Sequence, residues 1–528
     1  MRRRRMRRRY YAPRRVPHAF PPAYVRLKLI PLVPSLVATG LVGLLSQLQD
    51  LPPSIRSAAQ QRSESMGEEI SQSSQRLFFD EPGLDTLVVR SLGRAAAGIA
   101  HLGRAWFRTR LVTHADDRDR ALEALSRIPA RGYEALMVGM LAVGHAVGAM
   151  RASDVHVHLL RDSQANPPMQ PPAPGHPKAH LRRTGVPGSL SAMCADIDEM
   201  YWSMTMGQTV KISRVGSRGT RRWIASIPGT SHLEFTSNAN PADMESNIRE
   251  VLGLPSAIRL GVIAALHEAM RLDGIDEDEW AREPVLLCGH SQAGLLAVSL
   301  ASLPPEQAGV NVEAVLTVGA PARRFRTRPD VTVLAVAHDQ DVIPAMDGSP
   351  DRTPDQRVTI GRRLVRPRTN PLYYAHSSAT YTETVRQLER KVSVVPWGRV
   401  GRAVAALQDF LPQEHEDSRV FYFEIWQDVR EGVPMDPWEA FMRATRENAV
   451  EPVSYPYDFS PTPLRPPGWW KEFSTVFPAF SQVFPPSFAQ SLAGRIRSLR
   501  KGRQGAEDQG DASMRHTTIP RQKVEDQR

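Results

Sequence analysis

Near the middle of the chain stands the stretch Cys288-Gly289-His290-Ser291-Gln292-Ala293-Gly294. The apolar run 284–287 before it is typical of a buried strand, and the Ala/Leu-rich run 295–301 after it is typical of a helix. A serine with small neighbours between a strand and a helix predicts a sharp turn that lifts the serine hydroxyl clear of the sheet. The pattern departs slightly from Gly-x-Ser-x-Gly, because Ala293 takes the place of the second glycine and Gly294 follows it.

Two further strand-like runs follow, at 312–318 and 331–337, and the second leads into His338-Asp339-Gln340-Asp341-Val342-Ile343-Pro344. In open α/β folds, the residues that follow parallel strands gather at one edge of the sheet. We therefore predict that Asp341 lies at the same edge as the serine. Asp339 remains an alternative for the same role, and the Val-Ile-Pro context favours Asp341.

A late histidine completes the set. Tyr374-Ala375-His376-Ser377-Ser378 precedes a predicted helix over 380–388. A serine hydroxyl is a weak nucleophile at neutral pH, so an imidazole must take its proton and a carboxylate must hold that imidazole in the right tautomer. The order Ser291, Asp341, His376 therefore predicts a nucleophile, an orienting acid and a general base.

Two other histidines compete for the role of base. His338 would precede its acid, against the usual order of a serine, acid and histidine along an α/β chain. His290 lies inside the serine turn, where its ring is expected to pack or hydrogen-bond locally rather than reach the hydroxyl of Ser291. Both are therefore less suitable than His376.

A candidate anion-stabilising loop lies upstream. The strand-like run 222–228 ends in Gly229-Thr230-Ser231. A tetrahedral intermediate is stabilised by two main-chain N–H groups, one from the residue after the nucleophile and one from an early strand–helix loop. We predict Gln292 as the first of these oxyanion donors and Thr230, or its neighbour, as the second.

Five short blocks resemble successive motifs of lipases of the class 3 type, and more broadly of the α/β-hydrolase superfamily: Ile227-Pro228-Gly229-Thr230, Gly289-His290-Ser291-Gln292, Val318-Gly319-Ala320-Pro321, Asp341-Val342-Ile343-Pro344 and His376. The blocks span roughly residues 205–390, well under half the chain. Two features depart from the family, namely Ala293 and a short interval between acid and histidine. Cutinase-like enzymes share a similar serine turn, but in them the acid and the histidine lie much closer together.

The resemblance implies an α/β-hydrolase fold with a mostly parallel central sheet. It also implies a serine hydrolase that cleaves carboxylic esters through an acyl-enzyme, without a cofactor, on a lipid or small ester substrate. A catalytically inactive scaffold that keeps the same fold at a membrane surface is the alternative, since a fold alone does not guarantee a function.

A possible metal site was considered at Asp154-Val155-His156-Val157-His158, where the alternation places both histidines on one face of a strand. Two histidines so placed suit a metal ion, but no third ligand or cysteine cluster accompanies them. A solvated strand or loop explains the pattern more simply, and we predict no metal.

The composition sets the wider frame. The chain has 528 residues, enough for two or three domains, and 41% hydrophobic and 23% charged residues, which is ordinary for a globular protein. Only two cysteines occur, Cys194 and Cys288, so a disulfide framework is not indicated. A reducing compartment is the simpler interpretation, and we expect a cytoplasmic protein with membrane association left open.

The chain divides into six predicted regions: a basic disordered arm (1–28), a mainly helical region (29–161), a Pro-rich linker (162–189), an α/β-hydrolase catalytic domain (190–392), a Pro- and aromatic-rich C-terminal extension (393–494) and a disordered tail (495–528). Within the helical region, amphipathic stretches are predicted around 87–107 and 118–128. The aromatic residues of 452–488 either cover the mouth of the active site or wrap the domain in surface grooves.

The net charge of +11 is concentrated at the start, where nine of the first fifteen residues are arginine. Such an arm attracts an anionic membrane surface or nucleic acid, and a solvated extension is the simpler alternative. No base-reading or phosphate-binding motif accompanies it, so specific nucleic-acid binding is not predicted. The apolar runs 29–45 and 135–150 are short or broken by prolines, which disfavours a membrane span. A buried helix is favoured for the second run.

Overall fold

The computed structural model describes residues 74–110, 129, 132–164, 183–202, 206–348, 357–396, 398–430, 432 and 434–447, with a few single positions between 54 and 62. The basic arm, the apolar run 29–45, the amphipathic stretch 118–128, most of the linker, the aromatic stretch and the C-terminal tail lie outside these residues.

The described strands form one mixed eight-stranded sheet with the order β1-β8-β2-β3-β4-β5-β6-β7. In chain order the strands are β1 (Ala152–Asp162), β2 (Gln208–Val215), β3 (Arg222–Ile227), β4 (Pro284–His290), β5 (Asn311–Val318), β6 (Thr332–His338), β7 (Arg357–Arg362) and β8 (Ser418–Val429). Strands β3 to β7 pair in parallel, whereas β1, β8, β2 and β3 pair antiparallel.

The helices in chain order are α1 (Leu84–Arg110), α2 (Gly132–Ala146), α3 (Leu190–Met200), α4 (Met244–Leu252), α5 (Ala257–Leu272), α6 (Gln292–Leu300), α7 (Pro305–Ala308), α8 (Pro371–His376), α9 (Ser378–Val394), α10 (Gly398–Gln408) and α11 (Pro437–Glu447). Two 3₁₀ helices lie at Glu277–Arg282 and Ile343–Asp347.

Helices cover both faces of the sheet, and strand β4 shows how the sequence places them. Val285 and Leu287 belong to one apolar cluster, with α2, α4, α5, α6 and α11. Leu286 and Cys288 belong to the other, with α3, α9 and α10. Successive side chains of a strand point to opposite faces, so a continuous apolar run is the pattern of a strand buried on both sides. The described residues are therefore those of an α/β protein.

The sheet extends beyond the predicted 190–392 region at both ends. Strand β1 comes from the region that was predicted to be mainly helical, and β8 from the C-terminal extension. The two pair with each other, and β8 also pairs with β2. These three strands make the sheet mixed rather than mostly parallel throughout, because parallel pairing is confined to β3–β7.

Helix α2 packs against helices α1, α4 and α11 and so joins the apolar cluster on one face of the sheet. Helix α2 contains most of the apolar run 135–150, and its residues Met137, Val138 and Leu141 are buried in the main apolar cluster. Among the described residues no single helix has the length and apolarity of a membrane span. One pair, α4 and α5, meets that test by length and composition only, with an 86° bend between its two parts.

Candidate active site

Ser291 lies on a strained turn between strand β4 and helix α6. Its backbone angles are φ 56° and ψ −122°, a conformation that residues other than glycine rarely adopt. The turn brings strand and helix so close that a Cβ on Gly289 would lie 2.4 Å from the carbonyl carbon of Ala293. A Cβ on Gly294 would lie 2.4 Å from the Cβ of Ala320, whereas Ala293 itself is accommodated in the core. The second small position therefore lies one residue later than in Gly-x-Ser-x-Gly.

The structure brings Ser291, His376 and Asp341 within hydrogen-bond distance of one another. Nε2 of His376 lies 3.0 Å from Oγ of Ser291, and its Nδ1 lies 2.9 Å from Oδ2 of Asp341. Asp341 follows strand β6 and His376 ends helix α8, so three separate elements meet at the carboxyl ends of the parallel strands. The side chain of Asp341 is fully buried, and that of His376 is 26% exposed.

Asp341 is held as a carboxylate by its surroundings. Oδ2 also accepts a hydrogen bond from the hydroxyl of Tyr381 at 2.7 Å, and Oδ1 accepts one from the N–H of Ile343 at 3.0 Å. Burial raises the pKa of Asp341, but the imidazole of His376 and these hydrogen bonds outweigh it and hold the pKa below its ordinary value. Nδ1 of His376 faces Asp341 and its Nε2 faces Ser291, so neither ring nitrogen is left for the alternative acid, Asp339.

The two rival histidines hydrogen-bond to the main chain around His376 instead of to Ser291. Nε2 of His290 lies 2.8 Å from the carbonyl oxygen of His376, and Nδ1 of His338 lies 2.6 Å from that of Ala375. Burial, followed by the nearby His376, lowers the pKa of His290 to about 3. Burial also lowers the pKa of His338 to about 4. Both rings are therefore neutral at physiological pH.

The loop after strand β3 passes directly over the serine. A Cβ on Gly229 would lie 2.6 Å from the Cβ of Ser291 and 2.5 Å from the carbonyl oxygen of His290, so only glycine fits there. The N–H of Gly229 donates to the hydroxyl of Tyr201 at 2.6 Å. The next residue, Thr230, is held by Nδ2 of Asn247, which lies 3.0 Å from its Oγ1.

The two predicted oxyanion donors adjoin the serine turn: Gln292 follows Ser291 in the chain, and Thr230 follows Gly229, which packs against Ser291. Gln292 begins helix α6, where the first N–H groups have no acceptor within the helix. Neither the N–H of Gln292 nor that of Thr230 donates to another residue in the described part of the chain. The side chain of Gln292 reaches the carbonyl oxygen of Asp243 at 3.2 Å and joins the starts of α4 and α6.

Three residues of the site were missed by sequence reasoning. Tyr201 follows helix α3, Asn247 lies in α4 and Tyr381 lies in α9, within the predicted helix 380–388. Each acts on the site through one polar atom of its side chain. No local pattern marks such an atom, because its partner lies far away in the chain.

The two histidines of the possible metal site, His156 and His158, contact other side chains. Nε2 of His156 lies 3.0 Å from Oδ2 of Asp428, and its ring stacks on Trp426 with centroids 5.3 Å apart. His158 meets the same Trp426 edge-on. Among the residues that the structure describes, no group of three or more His, Cys, Asp or Glu side chains is arranged to hold a metal ion.

Cys194 and Cys288 are both buried and both free thiols.

Comparison of the chain with models of known protein families, with curated proteins and with solved structures finds no match. The function of this chain is therefore inferred from its residues alone.

Proposed function

We propose that this protein is a serine hydrolase with an α/β-hydrolase fold and that it cleaves carboxylic esters. The observation that carries the proposal is the unbroken line of contacts from Ser291 Oγ to His376 at 3.0 Å and from His376 to Asp341 at 2.9 Å, starting on a strained turn. Strain in a non-glycine residue persists only where the surrounding structure imposes it, and such strain clusters at functional sites.

The first half of the proposed reaction forms an acyl-enzyme. Nε2 of His376 takes the proton of Ser291 as Oγ attacks the ester carbonyl carbon. Asp341 accepts the Nδ1–H of His376, which keeps the basic lone pair on the nitrogen that faces Ser291. The imidazolium then gives its proton to the departing alkoxide, and the acyl group stays on Oγ.

Water completes the cycle. His376 removes a proton from the incoming water, the hydroxide attacks the acyl carbon, and the proton returns to Oγ of Ser291 as the acid leaves. The oxygen anion in both steps is stabilised by the N–H groups of Thr230 and Gln292, which donate to no other described residue. Every bond made or broken in these steps is accounted for by Ser291, His376, the ester and water, so the proposed reaction needs no cofactor.

The surroundings of the site favour an apolar substrate, such as a lipid or a small ester with an alkyl acyl group. Trp202 directly follows Tyr201, Leu233 follows the loop of Thr230, and Tyr373 lies one turn before His376. Their exposed fractions are 65%, 50% and 70%, high for large apolar side chains. Exposed apolar residues grouped near a site mark a surface that binds an apolar partner.

The proposal is tested by labelling the full chain with a fluorophosphonate and locating the adduct by mass spectrometry. Such a probe phosphonylates serines that have an activated hydroxyl. We expect an adduct on Ser291, none in Ser291→Ala, and turnover of p-nitrophenyl butyrate that is lost in the same variant.

Ser378→Ala is the matched control. This serine lies two residues from His376, and its hydroxyl donates to Asp198 rather than to an imidazole. Labelling at Ser291 should persist in this variant. A folded wild-type protein that takes up no label, with or without lipid vesicles, would contradict the proposal and favour the inactive scaffold.

A further inference from the structure

A chain of hydrogen bonds links the loop after strand β3 to the main chain of His376. The N–H of Gly229 lies 2.6 Å from the hydroxyl of Tyr201, which lies 2.6 Å from Nδ1 of His290. Nε2 of His290 lies 2.8 Å from the carbonyl oxygen of His376. The chain starts beside Thr230 and ends on the main chain of the proposed base.

Each bond in this chain has one possible direction. A carbonyl oxygen only accepts, so the ring proton of neutral His290 lies on Nε2, and Nδ1 is an acceptor. The hydroxyl of Tyr201 must therefore donate to Nδ1, and its oxygen accepts from Gly229. Burial raises the pKa of Tyr201 well above its ordinary value, which keeps the hydroxyl protonated as this arrangement requires.

The same chain determines which N–H remains for an oxyanion. Because the N–H of Gly229 donates to Tyr201, the N–H of the next residue, Thr230, is the one left to donate to an oxyanion. At the other end, His290 donates to the carbonyl oxygen of His376, the last residue of the short helix α8. The ring of the same His376 faces Ser291. The hydrogen-bond chain thus ends, on one side, next to the proposed oxyanion donor Thr230 and, on the other, on the main chain of the proposed base His376.

We propose that Tyr201 and His290 are positioning residues that couple the oxyanion loop to the general base, so that Thr230 and His376 keep their geometry toward Ser291 together. The inference rests on the proposed function. Misplacement of a reacting group by about 1 Å costs about 100-fold in rate, and loss of one link should cost about 10- to 100-fold.

The test is a double-variant cycle on the rate of inactivation by a fluorophosphonate. Tyr201→Phe keeps the ring and removes the hydroxyl, and His290→Ala removes the second link. We expect each variant alone to slow labelling by about 10- to 100-fold, and the double variant to be no slower than the slower single one.

Tyr422→Phe is the matched control, because this buried tyrosine also donates its hydroxyl, but to the carbonyl oxygen of Arg183 at 2.7 Å, outside the site. Its effect on labelling should be less than twofold and should multiply with that of His290→Ala. A wild-type protein that labels while Tyr201→Phe and Tyr422→Phe behave alike would overturn the inference. A wild-type protein that does not label would instead overturn the proposed function.

A second measurement does not depend on turnover. In Ser291→Ala protein with ¹⁵N-labelled histidine, the ring shifts of His290 should report a neutral ring with its proton on Nε2 from pH 5 to pH 8. In Tyr201→Phe these shifts should change, because Nδ1 loses its donor. A proton on Nδ1 in the parent, or shifts unaffected by Tyr201→Phe, would overturn the hydrogen-bond chain itself.

Discussion

The two edges of the sheet bury their polar groups in opposite ways. At the amino ends of β3 and β4, arginines face carboxylates in close pairs: Arg214 with Asp273 at 3.2 Å, Arg222 with Glu416 at 2.6 Å and Arg419 with Asp162 at 2.6 Å. At the carboxyl ends, Ser291 lies among imidazole and phenol groups, of which the His290 ring is uncharged, and the carboxylate of Asp341 faces an imidazole.

The difference leads us to propose that the carboxyl ends of the strands carry the chemistry and that the amino ends stabilise the fold. An ionised side chain in a tight ion pair keeps its protonation state, so it neither donates nor accepts a proton in a reaction. A neutral imidazole near a buried carboxylate retains a proton that can move. We therefore expect changes at the carboxyl edge to alter rate more than stability, and changes at the amino edge to do the reverse.

The largest effect is expected for Asp341→Asn. The amide would donate to Nδ1 of His376 and leave the ring proton on Nε2, where the ring cannot take the proton of Ser291. We expect turnover of p-nitrophenyl butyrate to fall about 10⁴-fold. The melting temperature should change little, because the amide keeps the shape of the carboxylate.

Asp339→Asn is the control for this prediction, since Asp339 is the alternative acid and the ring nitrogens of His376 face Asp341 and Ser291 instead. It should retain most of the turnover. A larger loss for Asp339→Asn than for Asp341→Asn would reassign the acid and break the comparison at the carboxyl edge.

The second effect concerns the amino edge. Arg419 donates to both carboxylate oxygens of Asp162, at 3.0 and 2.6 Å, and to the carbonyl oxygen of Leu272 at 2.8 Å. Arg419→Met leaves the carboxylate of Asp162 without its ionic partner. We expect the free energy of unfolding in urea to fall by about 3 kcal/mol, while the labelling rate of folded molecules at Ser291 stays within twofold.

Asp162→Asn in the Arg419→Met background provides the check on the cause. With the carboxylate of Asp162 replaced by a neutral amide, part of the lost stability should return. If the double variant is as unstable as Arg419→Met, the loss comes from packing of the arginine stem and not from an unpaired carboxylate.

The two edges also differ in how far the sequence predicts them. The serine turn is contiguous, and the strands leading to Asp341 and His376 follow it closely in the chain, so local patterns suffice to group these residues into one site hypothesis. Strand β1 finds its partner β8 more than 250 residues away, as the contact of Asp162 with Arg419 across 257 positions shows. Such pairing leaves no local signal, and the 190–392 boundaries therefore omit both strands. The hydroxyl of Tyr201 went unnoticed for the same reason.

A third effect separates the two edges by pH. The folded pKa values of His290 and His338, about 3 and 4, lie below the ordinary value of 6.5, so between these limits the unfolded chain binds more protons than the folded one. The carboxyl edge therefore loses stability as pH falls from about 6.5 towards about 4. At the amino edge, hydrogen bonds from Arg222 lower the pKa of Glu416 to about 2, so its contribution is lost only below about pH 4.

The measurement is urea unfolding of wild type and of His338→Gln at pH 7 and pH 5. Each buried histidine should account for about 2 kcal/mol of the difference between the two pH values, because at pH 5 the amount is set by the unfolded pKa. His338→Gln should reduce the difference by that amount. His415→Gln, at a side chain that is 91% exposed, is the control, and an equal reduction there would contradict the prediction.

The smallest effect is expected for Tyr381→Phe, which removes one of the hydrogen bonds that Asp341 accepts and leaves those from His376 and Ile343. A hydrogen bond to a charged group contributes about 1.5–3 kcal/mol, and part of this is recovered by the remaining donors, so we expect turnover to fall about tenfold. Because the lost bond favours the carboxylate, the pKa of Asp341 should rise. With one donor fewer, this carboxylate accepts more strongly from His376, so the acid side of the pH–rate profile, which reports protonation of the proposed base, should move to higher pH. Tyr422→Phe, a buried tyrosine outside the site, should leave that profile in place. A tenfold loss with an unshifted profile would mean that Tyr381 acts by packing against His338, whose ring it stacks on at 3.8 Å, and not by tuning the acid.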